Sequence, residues 1–206
     1  VHAVNLLAET ARDPVLRKQL GDAARAYLGG DKAALDPAWF GTAFGIVVEE
    51  GELAAAKQLT EAALASQDPL FRPTALGVVS ASGKEDIARW LLDEFNDPRL
   101  RRSERLGMVR GVVGSRKTRD WGFAWLQSHY EQLSGGGGIF FASRLPGMVG
   151  GYCSVAKSDE IAAFLRPKLQ GKTGALELER TIERVRSCGV LKDARGAELS
   201  AVLARI

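Results

Sequence analysis

Histidine, cysteine and methionine are scarce, with two of each in 206 residues. His2 and His129 lie far apart, and neither has a neighbour at metal-ligand spacing. No HExxH, no C-x-x-C pair and no Gly-rich loop ending in Lys-Ser or Lys-Thr is present, which excludes a self-contained zinc hydrolase or P-loop enzyme. No G-x-S-x-G elbow occurs and only two histidines could serve as base, which argues against nucleophilic catalysis. Long apolar runs are also missing. Runs such as Phe44 to Val48 are interrupted within a few residues by glycine or charge, far short of the ~18 apolar residues of a membrane helix. Excess charge of one sign is lacking too: 28 Lys and Arg stand against 25 Asp and Glu, a net charge of +3. That is too weak a balance to imply nucleic acid.

What is present is helical periodicity. Leu16, Leu20, Ala23, Ala24 and Tyr27 form an apolar stripe, as do Leu53, Ala56, Leu59, Ala62 and Ala63. Ile87, Trp90, Leu91 and Phe95 repeat the pattern, and so do Trp121, Ala124, Trp125 and Ser128. These are the spacings of amphipathic helices. Strict two-residue alternation of a strand's length is hard to find. The one ambiguous stretch is Ile139-Phe140-Phe141.

Helix starts are marked by Asp-Pro, which occurs at Asp13, Asp36, Asp68 and Asp97. The carboxylate can cap orphan N–H groups, and proline suits the first helical position, where its missing N–H costs nothing. Ser82-Gly83-Lys84-Glu85 has the spacing of a capping box. The intervals Asp36 to Asp68 and Asp68 to Asp97 are 32 and 29 residues. Gly45-Ile46-Val47-Val48 and Gly51 in the first unit match Gly77-Val78-Val79-Ser80 and Gly83 in the second. A looser third copy contains Gly111-Val112-Val113. Each unit reads helix, tight turn, helix, and such a hairpin must stack on its neighbours to bury its apolar face. The expected fold is all-α: stacked antiparallel helix pairs forming a curved HEAT/armadillo-like superhelix. A single repeat domain over 1–206 is expected, with regular pairs over 1–134 and less regular helices over 135–206. The change falls at the run Gly135–Gly138, expected to be a flexible loop because glycine weakens a helix. Further helices are expected over 140–151, 160–169, 176–188 and 194–205.

The candidate sites are modest. His129, beside Tyr130, reads as a packed or surface histidine. Cys153 and Cys188 either pair or sit as two small apolar side chains in a helical core, and the helical context favours the second. Arg99, Arg101, Arg102, Arg105, Arg110, Arg116, Lys117 and Arg119 crowd into 21 residues. They form either a solvated surface with ion pairs or a positive lining that attracts carboxylates. Interleaved exposed aromatics, which a nucleic-acid surface would want, are absent from the cluster.

Trp121-Gly122-Phe123-Ala124-Trp125-Leu126, followed by His129-Tyr130 and the glycines, resembles the W-x-F-l segment of zinc aminopeptidases: the aminopeptidase N, puromycin-sensitive and endoplasmic-reticulum aminopeptidase group. Gly114-Ser115-Arg116 resembles that group's short Gly-Arg turn. Arg144-Leu145-Pro146-Gly147-Met148, Cys153-Ser154, Glu160 to Leu165 and Arg180 to Val185 resemble its later segments in the same order. The resemblance spans roughly Asp68 to Ala204. It departs at Leu165, where the family has a second Phe, and at Val190-Leu191, which replace a late Trp.

The resemblance implies the C-terminal helical domain of a zinc metallopeptidase, a hydrolase whose zinc ligands lie in an earlier domain. No catalytic residue and no metal ligand is expected in this chain, and zinc belongs to the parent protein alone. Beginning at Val1, the chain reads as a fragment of something longer. Its implied role is to cover the active site and help to bind and size-select peptides. Arg110, Arg116 and Arg144 are the candidates for holding a peptide carboxylate. The implied partners are the parent's catalytic domain and the peptide substrate, with neither nucleic acid nor membrane. A cytoplasmic location is weakly favoured over a secreted or periplasmic one. The alternative is a standalone HEAT-like scaffold that binds proteins.

Overall fold

The computed structural model describes residues 2–205, with only the backbone described over 135–142. The fold is all-α, and no strand occurs among the described residues. The chain divides into two compact units, Val1–Arg119 and Asp120–Ile206. No helix among the described residues is long and apolar enough to cross a membrane.

The first unit opens with α1 (His2–Asn5) and a π-helical turn over Leu6–Thr10. It continues through α2 (Pro14–Leu28), α3 (Phe40–Ala65), α4 (Phe71–Ser80), α5 (Glu85–Asp93) and α6 (Arg102–Gly114). Of the four Asp-Pro signals expected to start helices, Asp13 and Asp36 cap with proline in the first turn, whereas Pro69 and Pro98 lie outside the helices that follow. Asp13 accepts from the Leu16 N–H at 2.8 Å and places Pro14 first in α2. Asp36 accepts from Ala38 at 2.8 Å and opens a 3-10 turn that leads into α3. Asp68 accepts from both Leu70 and Phe71 just ahead of α4. Asp97 instead holds a turn, accepting from the Arg99 N–H, and α6 starts five residues later.

Two turn expectations are refined. The turn expected at Gly51 is a kink within α3, and it is Glu52, not the glycine, that takes the left-handed φ of 53°. The capping box expected at Ser82 does not form: α5 starts at Glu85 without a side-chain cap, whereas Gly83 takes φ +72° in the turn. The reciprocal contact occurs at α6, where Glu104 reaches back to the Arg101 N–H at 2.7 Å.

Tyr27, Phe40, Phe44 and Phe71 pack ring against ring at 4.9 to 5.9 Å, from three different helices. Such aromatic pairs add about 0.5–1.5 kcal/mol each beyond the area they bury. α4 and α6 approach closely: a Cβ on Gly111 would sit 2.9 Å from the Ser80 backbone carbon, so only glycine fits.

The second unit contains α7 (Arg119–Ser128, its first residue belonging to the first unit), α8 (Tyr130–Met148), α9 (Val155–Leu169) and α10 (Ala175–Leu203). Three expectations are corrected here. The glycine run is not a loop: its backbone lies within α8, where flanking helical turns on both sides carry it through. The side chains of Ile139, Phe140 and Phe141 lie outside the described residues. The last two expected helices are one, because nothing in 189–193 breaks the helical backbone of α10. Finally, Cys153 and Cys188 are disulfide-bonded, with Cα atoms 4.9 Å apart. The close approach is made by Gly189, where a Cβ would meet the Val155 nitrogen at 2.6 Å. Phe123 meets Tyr152 and Phe164 edge-on, and Tyr130 meets Phe164 at 5.7 Å. Lys168 caps this cluster 4.4 Å above the Tyr130 ring, and burial pushes the Tyr130 hydroxyl pKa up.

Candidate functional site

The arginine-rich stretch is mostly occupied with itself. Arg99 donates to Glu61 and Asp97 together. Its guanidinium holds both carboxyls below their ordinary range. Arg105 donates to the Asp97 carbonyl and faces the Phe95 ring. Arg101 reaches Gln67 and approaches Glu104. Arg119 donates to the Gly114 carbonyl. Arg99 and Arg101 thus sit in an ion-paired surface, and Arg105 and Arg119 are engaged with backbone carbonyls.

Beneath them lies a group that the charge count did not reveal. Arg72 and Glu104 form a bidentate pair at 2.6 and 2.9 Å, with side chains only 4% and 8% exposed. Arg72 also donates to the carbonyls of Leu64 and Arg99. One guanidinium therefore ties the end of α3, the 97–101 turn and α6 to α4. Burial pushes the Glu104 carboxyl up, but Arg72 and the Arg101 N–H outweigh it and leave it below its ordinary value. Arg17 repeats the device: it donates to the Ala8 carbonyl and to Glu49 at 2.8 Å. Both pairs span 32 residues. The signal was legible as Asp13-Pro14-Val15-Leu16-Arg17 and Asp68-Pro69-Leu70-Phe71-Arg72, in which arginine follows the capping Asp by four.

The three proposed carboxylate binders are placed as follows. Arg110 is exposed on the last turns of α6, and Arg116 is exposed in the turn after it. Arg144 is exposed on α8, in the second unit. No ion pair joins any of them to a described carboxylate. A separate cleft of about 420 Å³ runs past Arg12, Arg17, Thr42 and Lys84 over an open floor at Gly41 and Gly45. Its cations are engaged, Arg12 and Arg17 with Glu49 and Lys84 with the Glu49 carbonyl.

The residues present do not fit a zinc ion. Among the described residues no three of His, Cys, Asp and Glu gather into a metal-holding group. Both cysteines are consumed by the disulfide. His129 stacks on Trp125 at 4.2 Å and its Nδ1 contacts the Trp125 carbonyl.

The motifs behind the aminopeptidase resemblance are largely core. Phe123, Leu165, Ile182 and Val185 are buried in the second unit, while Arg180 and Glu183 face solvent. No curated protein matches the chain. A family model, the ERAP1-like C-terminal domain, matches residues 1–187. It starts well before the stretch on which the resemblance was read and stops just short of Cys188. With that span matched, the chain belongs to the ERAP1-like C-terminal domain family, the C-terminal domain of aminopeptidases expected from its motifs.

Proposed function

We propose that this chain is the non-catalytic C-terminal domain of a zinc-dependent aminopeptidase. It covers the active site of the parent's catalytic domain and helps to bind and size-select peptides. Family membership over residues 1–187 is the observation that carries the reading. Zinc and its ligands belong to the parent's catalytic domain, and this chain contributes positioning. Binding energy gathered far from the scissile bond can be used to orient the substrate there. The stacked helix pairs supply a HEAT-like surface for that purpose.

Arg110 and Arg116 in the first unit, and Arg144 in the second, are each candidates for holding a peptide carboxylate, since exposed guanidinium groups without a carboxylate partner can form charge-assisted bonds. The test is kinetic, on the parent aminopeptidase. Each Arg→Ala change should raise KM several-fold for a peptide with a free C-terminal carboxylate. The same peptide ending in an amide should respond little. Equal effects on both peptides would remove these arginines from substrate binding. The 206-residue chain alone should show no metal-dependent aminopeptidase turnover.

A further inference from the structure

In the first unit a small pocket of about 220 Å³ opens between the second half of α3, α5, the 94–100 segment and α6. Its floor is apolar, made by Leu64, Leu91, Leu100 and Met108. Its wall is Trp90, and its rim carries the carboxylates of Glu61, Glu94 and Asp97. Thr60 lines it as well, and this residue is 5% exposed with a hydroxyl that has no hydrogen-bond partner. A buried hydroxyl left unpaired costs free energy that a ligand can recover.

The charges select the ligand's sign. Three rim carboxylates face two cations, Lys57 and the Arg99 that bridges Glu61 and Asp97. Glu94, exposed at the rim, is the carboxylate that Arg99 does not reach. The indole already attracts a cation from within the chain, with the Lys57 ammonium 5.6 Å from the ring centroid. Aromatic faces hold ammonium groups in this way. An apolar floor, an indole wall, a free carboxylate and an unpaired hydroxyl together match a short alkyl stem that ends in a positive charge.

We propose that this pocket binds a primary ammonium on a short alkyl stem: the stem lies on Leu64, Leu91 and Met108, and the ammonium lies between Trp90 and Glu94 within reach of the Thr60 hydroxyl. A lysine side chain of a bound peptide and a free alkylamine share this chemistry. The site is independent of Arg110, Arg116 and Arg144 and of the peptidase reading.

The test is a titration of the 206-residue chain, followed by NMR through the Trp90 indole N–H, with n-butylammonium against the neutral isostere 1-butanol. The ammonium should bind about fivefold tighter, the order of one exposed cation–π contact. Glu94→Gln should weaken ammonium binding and leave butanol binding unchanged. Lys57→Met removes the competing cation and keeps the stem, so it should tighten it. Comparing Nα-acetyl-lysine N-methylamide with putrescine separates the sources: tighter binding of the first makes the site a peptide-side-chain pocket, and of the second a free-amine site. Equal affinity for butylammonium and butanol, unaffected by Glu94→Gln, would overturn the proposal, as would no movement of the Trp90 signal at all.

Discussion

Each of the two units of this chain is stabilised internally by a different chemistry. The first is clamped by two arginines, each paired with a carboxylate 32 residues on: Arg17 to Glu49 and Arg72 to Glu104, each also gripping carbonyls that end the preceding helical segment. The second has no such clamp in the described residues. It relies on one covalent bond, Cys153–Cys188, on an aromatic cluster around Phe164, and on the bare backbone of Gly189 pressed against the start of α9. The difference follows from regularity. Where helix pairs repeat, one polar device can be reused at the same register. Where α8 and α10 are long and unequal, no register recurs and a local staple takes over.

The largest expected effect comes from breaking the buried clamp. Arg72→Met should cost about 3–5 kcal/mol, because Glu104 is left as an uncompensated buried charge. Urea unfolding measures it. The same variant sharpens the assignment through pH. In the wild type the folded Glu104 carboxyl titrates below its ordinary 4.5. Its stabilising contribution is present above that value and is lost as pH falls through the folded one. Without Arg72 the buried carboxyl is held up instead, so acid relieves the variant. The stability gap between wild type and Arg72→Met should narrow as the pH is lowered towards 4, and a constant gap would contradict the pairing.

Next in size is the staple. Replacing both cysteines by alanine opens the loop between residues 153 and 188 and should cost about 3–4 kcal/mol by chain entropy. Hydrogen exchange should show the loss in α9 and α10 while α3 and α4 keep their protection. A uniform loss would mean that the two units do not unfold separately. Disulfides persist in oxidising compartments, so the reduced protein's stability also bears on where the parent works.

Arg17→Met should cost less than Arg72→Met, about 1.5 kcal/mol, the low end for a charge-assisted bond. Its partner Glu49 is 43% exposed and keeps Arg12. If the two arginines cost the same, burial is not what grades the clamps. The smallest effect is expected at the end of α10. Leu199 is 61% exposed, and Leu199→Ser should shift stability by less than about 0.5 kcal/mol.

Much of the first unit was legible because its signals are local. An Asp ahead of Pro caps the next few N–H groups whatever surrounds it, and apolar stripes name the buried face of α2, α3 and α5. The clamp arginines were within reach of the same reading, four residues after Asp13 and Asp68. They were overlooked because arginine is ordinarily a surface residue and its burial depends on a carboxylate one repeat away. The basic cluster could not be divided from sequence either. Arg99 and Arg110 look alike until Glu61 and Asp97 are seen around the first and no described carboxylate beside the second.

By itself the sequence determined the all-helical class, the repeated starts, the family and the lack of a resident metal motif, since each rests on residue types at short spacings. Tertiary structure alone decided three things. The glycine run continues a helix, because four weak residues are carried by the turns that flank them. Cys153 meets Cys188, because Gly189 lets α10 touch the start of α9. Thr60 faces a pocket with its hydroxyl unpaired, because α3, α5 and α6 converge around it. All three depend on what lies opposite a residue in space, and short-range spacing carries no record of that.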